Sequence, residues 1–264
     1  MTDDATTPRI RTERRGSVLT ITLDRPAKRN AADVRMLQEL ALAYGEFARD
    51  DELRVAVVAA AGDHFTGGLD LADLAPRLGA PLDLVPEGGL DPWQLTGPVL
   101  DKPVIVAVQG TCLTLGIELM LASDLAIAAD SARFAQLEVS RGILPFGGAT
   151  LRFPRVAGWG DAMRWMLTGD TFDAREAHRM GLVQEVVPHG EQLPRALELA
   201  EAIAAQAPLA VRATLANAKL GRREGDDAAI ALLPAELARL AATEDAATGI
   251  AAFLSRTVPN YRGR

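Results

Sequence analysis

VIVAVQGTCLTLGIELMLASDLAIAADSARFAQLEV, residues 104–139, carries the reading of the fold. It opens with VIVAVQG (104–110), whose run of five apolar, mostly β-branched residues reads as a buried strand. Gly110 and Gly116 flank a tight connection, and Ile117–Ser123 then reads as a buried helix. LAIAA (125–129) is a further buried strand, and ARFAQLEV is a loop with a short strand. Apolar strands joined through a buried helix predict an α/β architecture with covered sheets.

The same unit of strand, strand and helix extends towards the N-terminus. SVLTITLD (17–24) alternates apolar and polar residues and reads as a strand, followed by the turn RPAKRN. Ala32–Asp50 places Leu37, Leu40, Ala41, Tyr44 and Phe47 at helical spacing. RVAVVAA (54–60) is another buried strand, AGDHFTGG is a glycine-rich loop, and a short helix follows Gly68. Residues 76–97, rich in proline and glycine, predict a flexible inserted loop. On the C-terminal side a strand falls near Leu182–Val187, and helices are expected over 191–206, 208–220 and roughly 232–254. These alanine-rich helices can cover their own core or a neighbouring subunit. The chain thus divides into a core over 1–190 and a C-terminal helical region over 191–264.

Composition limits the function. The 264 residues include 48% hydrophobic and 24% charged side chains, an ordinary globular balance. A net charge of −7 leaves no overall basic footprint for nucleic acid, and the patches RTERR and GRRE (221–224) read as solvated surface. Cys112 is the single cysteine, so no disulfide forms within the chain, and the three histidines lie far apart with no zinc spacing. The polar N-terminus lacks the apolar core of a secretory signal, and the apolar run over 103–129 is interrupted by Glu118 and Asp124. A cytoplasmic protein with no membrane span is expected. There is no G-x-S-x-G nucleophile elbow, no phosphate-binding loop, and no histidine near Cys112 in sequence to activate it.

Two glycine-containing loops, HFTGGLDL (64–71) and QGTCLTLGIE (109–118), each follow a buried strand and lead into a helical pattern. Such turns present unpaired backbone N–H groups, and two of them converging on one carbonyl make an oxyanion hole. Glu118 lies in an apolar segment, where a carboxylate needs a partner, a wet cavity or a chemical task. Glu138 follows 20 residues later. The pair could pass protons at a polarised carbonyl. Either could equally form a buried ion pair with Arg133, Arg141 or Arg152.

Taken together, these motifs resemble the crotonase superfamily, the enoyl-CoA hydratase/isomerase family, over essentially the whole chain. LDRPAKRNA, HFTGGLDL, the long segment from Gln109 to Gly148, LTGDTFDAREAHRMGLVQEVVP and IAAFLSRTVPNYRGR resemble the family's signatures in the family's order. The resemblance implies a spiral of strand-strand-helix turns with a helical C-terminal region, assembled as a homotrimer or dimer of trimers. It implies an acyl-CoA thioester substrate, coenzyme A being part of that substrate, and no metal or redox cofactor. The thioester oxygen would be held by the backbone N–H groups of Leu69 and Leu115. Glu138 would be the principal acid/base and Glu118 would hold the water. Coenzyme A would run past Ala27, Lys28, Arg29, Gly67, Gly68, Asp70 and Leu71, with Phe253 approaching the nucleotide of a neighbouring subunit, and the 76–97 loop would border the acyl pocket. The activity implied is hydration of a 2-enoyl-CoA. Double-bond isomerisation or another acyl-CoA conversion is the alternative, and a non-catalytic acyl-CoA binder has no use for two glutamates.

Three departures from the family pattern stand out. Thr114-Leu115-Gly116 replaces a run of three glycines, Leu69 replaces a frequent alanine, and Phe146 stands where a glycine leaves room for water. The first two imply a tighter, more apolar pocket. Phe146 raises isomerisation, which needs no water, as a rival reaction.

Overall fold

Among the described residues the main sheet orders the strands Ile10–Arg15, Val18–Leu23, Val55–Ala60, Val104–Val108, Leu125–Ala129 and Glu185–Val187 side by side, and a smaller sheet holds Thr111–Leu113, Arg133–Ala135 and Phe172–Asp173. The structure, a computed structural model, describes residues 7–74, 76 and 83–264. In chain order the elements are β1 (Ile10–Arg15), β2 (Val18–Leu23), α1 (Val34–Arg49), β3 (Val55–Ala60), α2 (Leu71–Leu74), β4 (Val104–Val108), β5 (Thr111–Leu113), α3 (Leu115–Ala122), β6 (Leu125–Ala129) and β7 (Arg133–Ala135). They continue with α4 (Ala149–Ala157), α5 (Trp159–Thr168), β8 (Phe172–Asp173), α6 (Ala174–Arg179), β9 (Glu185–Val187), α7 (Gln192–Ala204), α8 (Pro208–Glu224), α9 (Asp226–Ala241) and α10 (Glu244–Ser255). In the main sheet β1 and β2 pair antiparallel and the other described pairs are parallel.

The apolar strands are apolar on both faces because both faces are covered. Leu19, Ile21, Ala56, Val58, Val104, Val106 and Val108 join the larger core with α1 and α3. The alternate residues Val18, Val55, Val57, Ile105, Ala107 and Ile127 face α7 instead. There Ala196, Ala200 and Ala204 recur every four residues, so one small stripe of the helix lies close on the sheet. The first C-terminal helix therefore covers the core's own sheet. Arg212 of α8 pairs with Asp101 at 2.8 Å and Lys219 with Asp124 at 3.2 Å, which ties α8 to the core as well. None of the described helices is long and apolar enough to cross a membrane.

Several expectations need correction. The helix expected over 232–254 is two helices, because Thr243 breaks the first and caps the second, its hydroxyl accepting from the Ala246 N–H at 3.1 Å. Strand β1 was not foreseen: as an edge strand it buries only Ile10, so IRTERR carries almost no apolar signal. The helices α4, α5 and α6 are also additions to the expected elements: each is short, Gly148 and Gly158 precede the first two, and Pro154 lies inside α4. Of the loop expected to be flexible over 76–97, residues 77–82 lie outside the described residues. Its second half is fixed by buried anchors. Asp91 accepts from the backbone N–H groups of Trp93, Leu95 and Thr96 at 2.9, 2.8 and 3.0 Å, and Leu90 and Trp93 are buried in the core.

Candidate active site

The turn at residues 25–31 supports the first of the site's two loops. Asn30 is fully buried at φ +53°, and its side chain accepts from the Arg25 N–H at 2.7 Å while donating to the carbonyls of Ala61 and His64 at 2.9 and 2.8 Å. Asparagine tolerates this left-handed backbone and satisfies two turns at once. The turn therefore sits against the glycine loop, where the Gly67 N–H donates to the Arg29 carbonyl at 2.7 Å.

That loop is stitched to the second one. The Thr66 N–H donates to the Thr111 carbonyl and the Leu113 N–H to the Thr66 carbonyl, at 3.0 and 3.1 Å. The Thr111 N–H donates to His64 Nδ1 at 3.1 Å. Leu69 bridges to Ala32 through its neighbours: the Ala32 N–H reaches the Gly68 carbonyl and the Asp70 N–H reaches the Ala32 carbonyl, at 2.8 and 2.9 Å. In extended backbone successive amides point to opposite sides, so the Leu69 N–H is turned away from Ala32. Leu115 opens α3, so its N–H has no intrahelical acceptor. Both leucines line one cavity of about 170 Å³.

The two glutamates line the same cavity. Glu118, in the first turn of α3, is 1% exposed, and its Oε1 accepts from the Ala149 N–H at 3.0 Å. Burial pushes its carboxyl above the ordinary range, against the opposing pull of N–H groups at the start of α4 and of the Arg152 charge. Glu138 is 5% exposed, opens the short 3₁₀ turn Glu138–Arg141, and its Oε2 is buried with no hydrogen-bond partner. Burial, reinforced by the neighbouring Glu118 charge, pushes its carboxyl up to about 7. Among the described residues neither glutamate forms an ion pair. Arg152 donates instead to the carbonyls of Trp93, Gln94 and Gly147, at 2.7, 3.2 and 3.3 Å. A carboxyl held near neutrality, beside a second one and two free N–H groups, can exchange protons with a molecule whose carbonyl those N–H groups polarise.

The raised Glu138 group has a consequence for stability. Unfolded, it titrates near its ordinary 4.5; folded, near 7. Between those values the folded chain holds the extra proton, so raising pH through this window opposes folding. Glu138→Gln is therefore expected to melt at a higher temperature than the wild type at about pH 8, with the gap closing towards about pH 5. Thermal melts followed by circular dichroism at both pH values check this.

The remaining expected residues divide. Gly67, Leu71 and Phe146 line the cavity, Phe146 being 41% exposed. Ala27, Lys28 and Arg29 do not line it; they stand exposed in the 3₁₀ turn Pro26–Lys28 and its left-handed cap, joined to the cavity where the Arg29 carbonyl accepts from the Gly67 N–H. Gly68 adopts φ +88°, and a Cβ there would lie 2.2 Å from Thr114 Oγ1. Asp70 is paired with Arg25 at 2.7 Å, which holds its carboxyl below the ordinary range, so its side chain braces the loop. Phe253, on α10, is 82% exposed and lies outside the cavity. Cys112 is buried in the core 3.7 Å from Met120 Sδ, with burial pushing its thiol up, as an inert small side chain would be.

Sequence reasoning missed three contributors. Trp93 Nε1 donates to the Leu115 carbonyl at 3.2 Å and so fixes the start of α3. Gly147 leaves the space that Glu118 occupies, for a Cβ there would lie 2.6 Å from its Oε2. Arg141, considered only as an ion-pair partner, lines the cavity. The Gly147-Gly148 pair was visible as a motif, but nothing local linked it to Glu118, 29 residues away in sequence.

Known proteins resemble this chain over nearly its whole length. Residues 13–264 match the family model for enoyl-CoA hydratase/isomerase. An enoyl-CoA hydratase of Mycobacterium tuberculosis is 34% identical over 256 residues, 96% of each chain. A 2,3-dehydroadipyl-CoA hydratase of Escherichia coli is 36% identical over 260 residues, 95% of this chain and 97% of that one. The crystal structure of a probable enoyl-CoA hydratase/isomerase from Mycobacterium abscessus superimposes with a TM-score of 0.94 at 58% identity, covering 97% of this chain and 99% of that one.

Proposed function

The chain belongs to the enoyl-CoA hydratase/isomerase family, and on that premise we propose that it adds water across the 2,3 double bond of a 2-enoyl-CoA thioester. The observation that carries this reading is the pair of buried carboxyls without ion partners, sharing one cavity with two unpaired backbone N–H groups. The N–H groups of Leu69 and Leu115 hold the thioester oxygen. Water hydrogen-bonded to the Glu118 carboxylate attacks C3, and Glu118 takes its proton, a wider role than the water-holding one that the resemblance implies. The π electrons move to the thioester oxygen, where the two N–H groups stabilise the enolate charge more strongly than the neutral carbonyl. Collapse of the enolate draws a proton to C2 from Glu138, whose carboxyl is protonated in part at neutral pH. Exchange with solvent after product release returns the proton from Glu118 to Glu138.

Coenzyme A passes over the exposed turn at Ala27, Lys28 and Arg29, with the two cations beside its phosphates. Gly67 and Leu71 line the pantetheine side, and Gly68 and Asp70 act through the backbone of the same loop.

Leu237, Ile250, Phe253 and Leu254 are each largely exposed on α9 and α10. Ile250, Phe253 and Leu254 share one face of α10 by their spacing; exposed apolar side chains on such a face mark a protein contact, and we assign it to a second copy of this chain in a homotrimer or dimer of trimers. Phe253→Asp together with Leu237→Asp is expected to reduce the mass measured by light scattering to that of a monomer. An unchanged mass would count against this assignment.

Phe146 supports a second reading. Its place in the cavity wall narrows the space for water, and a lone Glu138 could move a proton between C2 and C4 of a 3-enoyl-CoA. Mass spectrometry of the product in ¹⁸O-labelled water separates the two. Hydration puts one labelled oxygen on C3 of a 2-enoyl-CoA, whereas an isomerase converts a 3-enoyl-CoA without incorporating label.

A further inference from the structure

Thr114 carries a conformation that its residue type resists. It sits at φ +46°, ψ −110°, in the positive-φ region that glycine enters freely and a β-branched residue enters only under strain. As the residue before α3 it is positioned to cap the helix, and a threonine there normally accepts a helix N–H with its hydroxyl. Here the hydroxyl makes no cap bond, and Ile117 and Glu118 donate instead to the Thr114 carbonyl at 2.9 and 3.2 Å. The side chain is directed across the gap between the two loops. Its Oγ1 lies where a Cβ on Gly68 would come within 2.2 Å, so Gly68 is what makes room for it. Gly68 and Thr114 each precede one of the residues whose N–H is free, Leu69 and Leu115. Thr114 also lines the cavity with both glutamates, and its N–H is fixed to the Ala135 carbonyl at 2.9 Å.

A strained backbone persists where the rest of the structure over-determines it, and the consequence of this one is a threonine hydroxyl against Gly68 in the wall of the cavity that Leu69 and Leu115 also line. We propose that Thr114 is a substrate-contacting residue whose Oγ1–H is a third hydrogen-bond donor to the thioester group held by the Leu69 and Leu115 N–H groups. The inference rests on the acyl-thioester reading of this cavity, but it does not depend on which reaction follows.

Three variants test it. Thr114→Val keeps the shape and removes the donor; kcat/KM for crotonyl-CoA is expected to fall about 10- to 100-fold. Thr114→Ser keeps the hydroxyl and is expected to recover most of that loss. Thr114→Gly relieves the strain and removes the donor, so it is expected to melt about 2–6 °C above the wild type while losing activity as the valine variant does. The infrared C=O stretch of bound butyryl-CoA, a saturated thioester that does not react, reports polarisation without turnover. The wild type is expected to shift it to lower frequency, and Thr114→Val to reverse part of that shift. If the wild type shifts the stretch but does not hydrate crotonyl-CoA, the hydratase reading fails and the role of Thr114 stands on the stretch alone. A folded Thr114→Val enzyme with wild-type kcat/KM and wild-type C=O shift overturns the proposal. So does a wild type that leaves the C=O stretch of bound butyryl-CoA unchanged, or a Thr114→Gly variant that melts at or below the wild type.

Discussion

Glu138→Gln is expected to lower kcat/KM for a 2-enoyl-CoA by about 10²- to 10⁴-fold, with KM little changed. Glutamine has nearly the same shape, so the cavity wall is preserved. It has no proton to give at C2. Among the described residues none hydrogen-bonds the buried Oε2 of Glu138, so no neighbour is in place to relay that proton. Glu118→Gln is expected to lower activity at least as far. Its amide must keep its oxygen on the Ala149 N–H, which turns the NH₂ group towards the water that the carboxylate held. Steady-state kinetics on the purified variants measure both effects, and a loss of less than tenfold in Glu138→Gln would remove it from the reaction.

Gly147→Ala is expected to reduce kcat by about 10²-fold or more while leaving the fold close to that of the wild type. A methyl group there would lie 2.6 Å from Glu118 Oε2, 2.8 Å from its Cδ and 3.0 Å from its Cβ. Gly147 itself does not need a left-handed backbone, so the substitution adds no torsional strain of its own. The carboxylate must swing away from the Ala149 N–H, and a displacement of about 1 Å in a positioned group is enough to cost about 10²-fold in rate. The expected signature is a split between function and stability: a large fall in kcat beside a melting temperature within a few degrees of the wild type. Equal losses in both would mean that Gly147 serves the core rather than the placement of Glu118.

The parts of this molecule that could be read from sequence are those with a local physical cause. Buried parallel strands such as Val104–Val108 are apolar on both faces, so a run of branched residues identifies them without a partner in view. Glu118 stood out for a similar reason, because a carboxylate in an apolar helix needs an explanation wherever the helix lies. What stayed hidden was set by distant contacts. The edge strand β1 is nearly all polar, and its pairing with β2 decides its conformation. The anchoring of Trp93 and Asp91 turned a proline- and glycine-rich run into a fixed wall. Whether Glu118 and Glu138 were ion-paired could not be decided from spacing. Arg152 was a fair candidate partner until its guanidinium was found on three backbone carbonyls. Thr114 was visible only as a departure from a run of glycines, and its strain and uncapped hydroxyl emerge from backbone angles that no motif records.

The central claim is that Glu118, Glu138 and the N–H groups of Leu69 and Leu115 act together on one thioester. Its most direct test is the loss of conjugated-thioester absorbance when the wild-type protein meets crotonyl-CoA or a longer 2-enoyl-CoA. The account predicts a steady, enzyme-dependent loss with a 3-hydroxyacyl-CoA as product, nearly abolished in Glu138→Gln and Glu118→Gln. Absorbance that stays constant on both chain lengths, with folded protein and bound ligand, would contradict it.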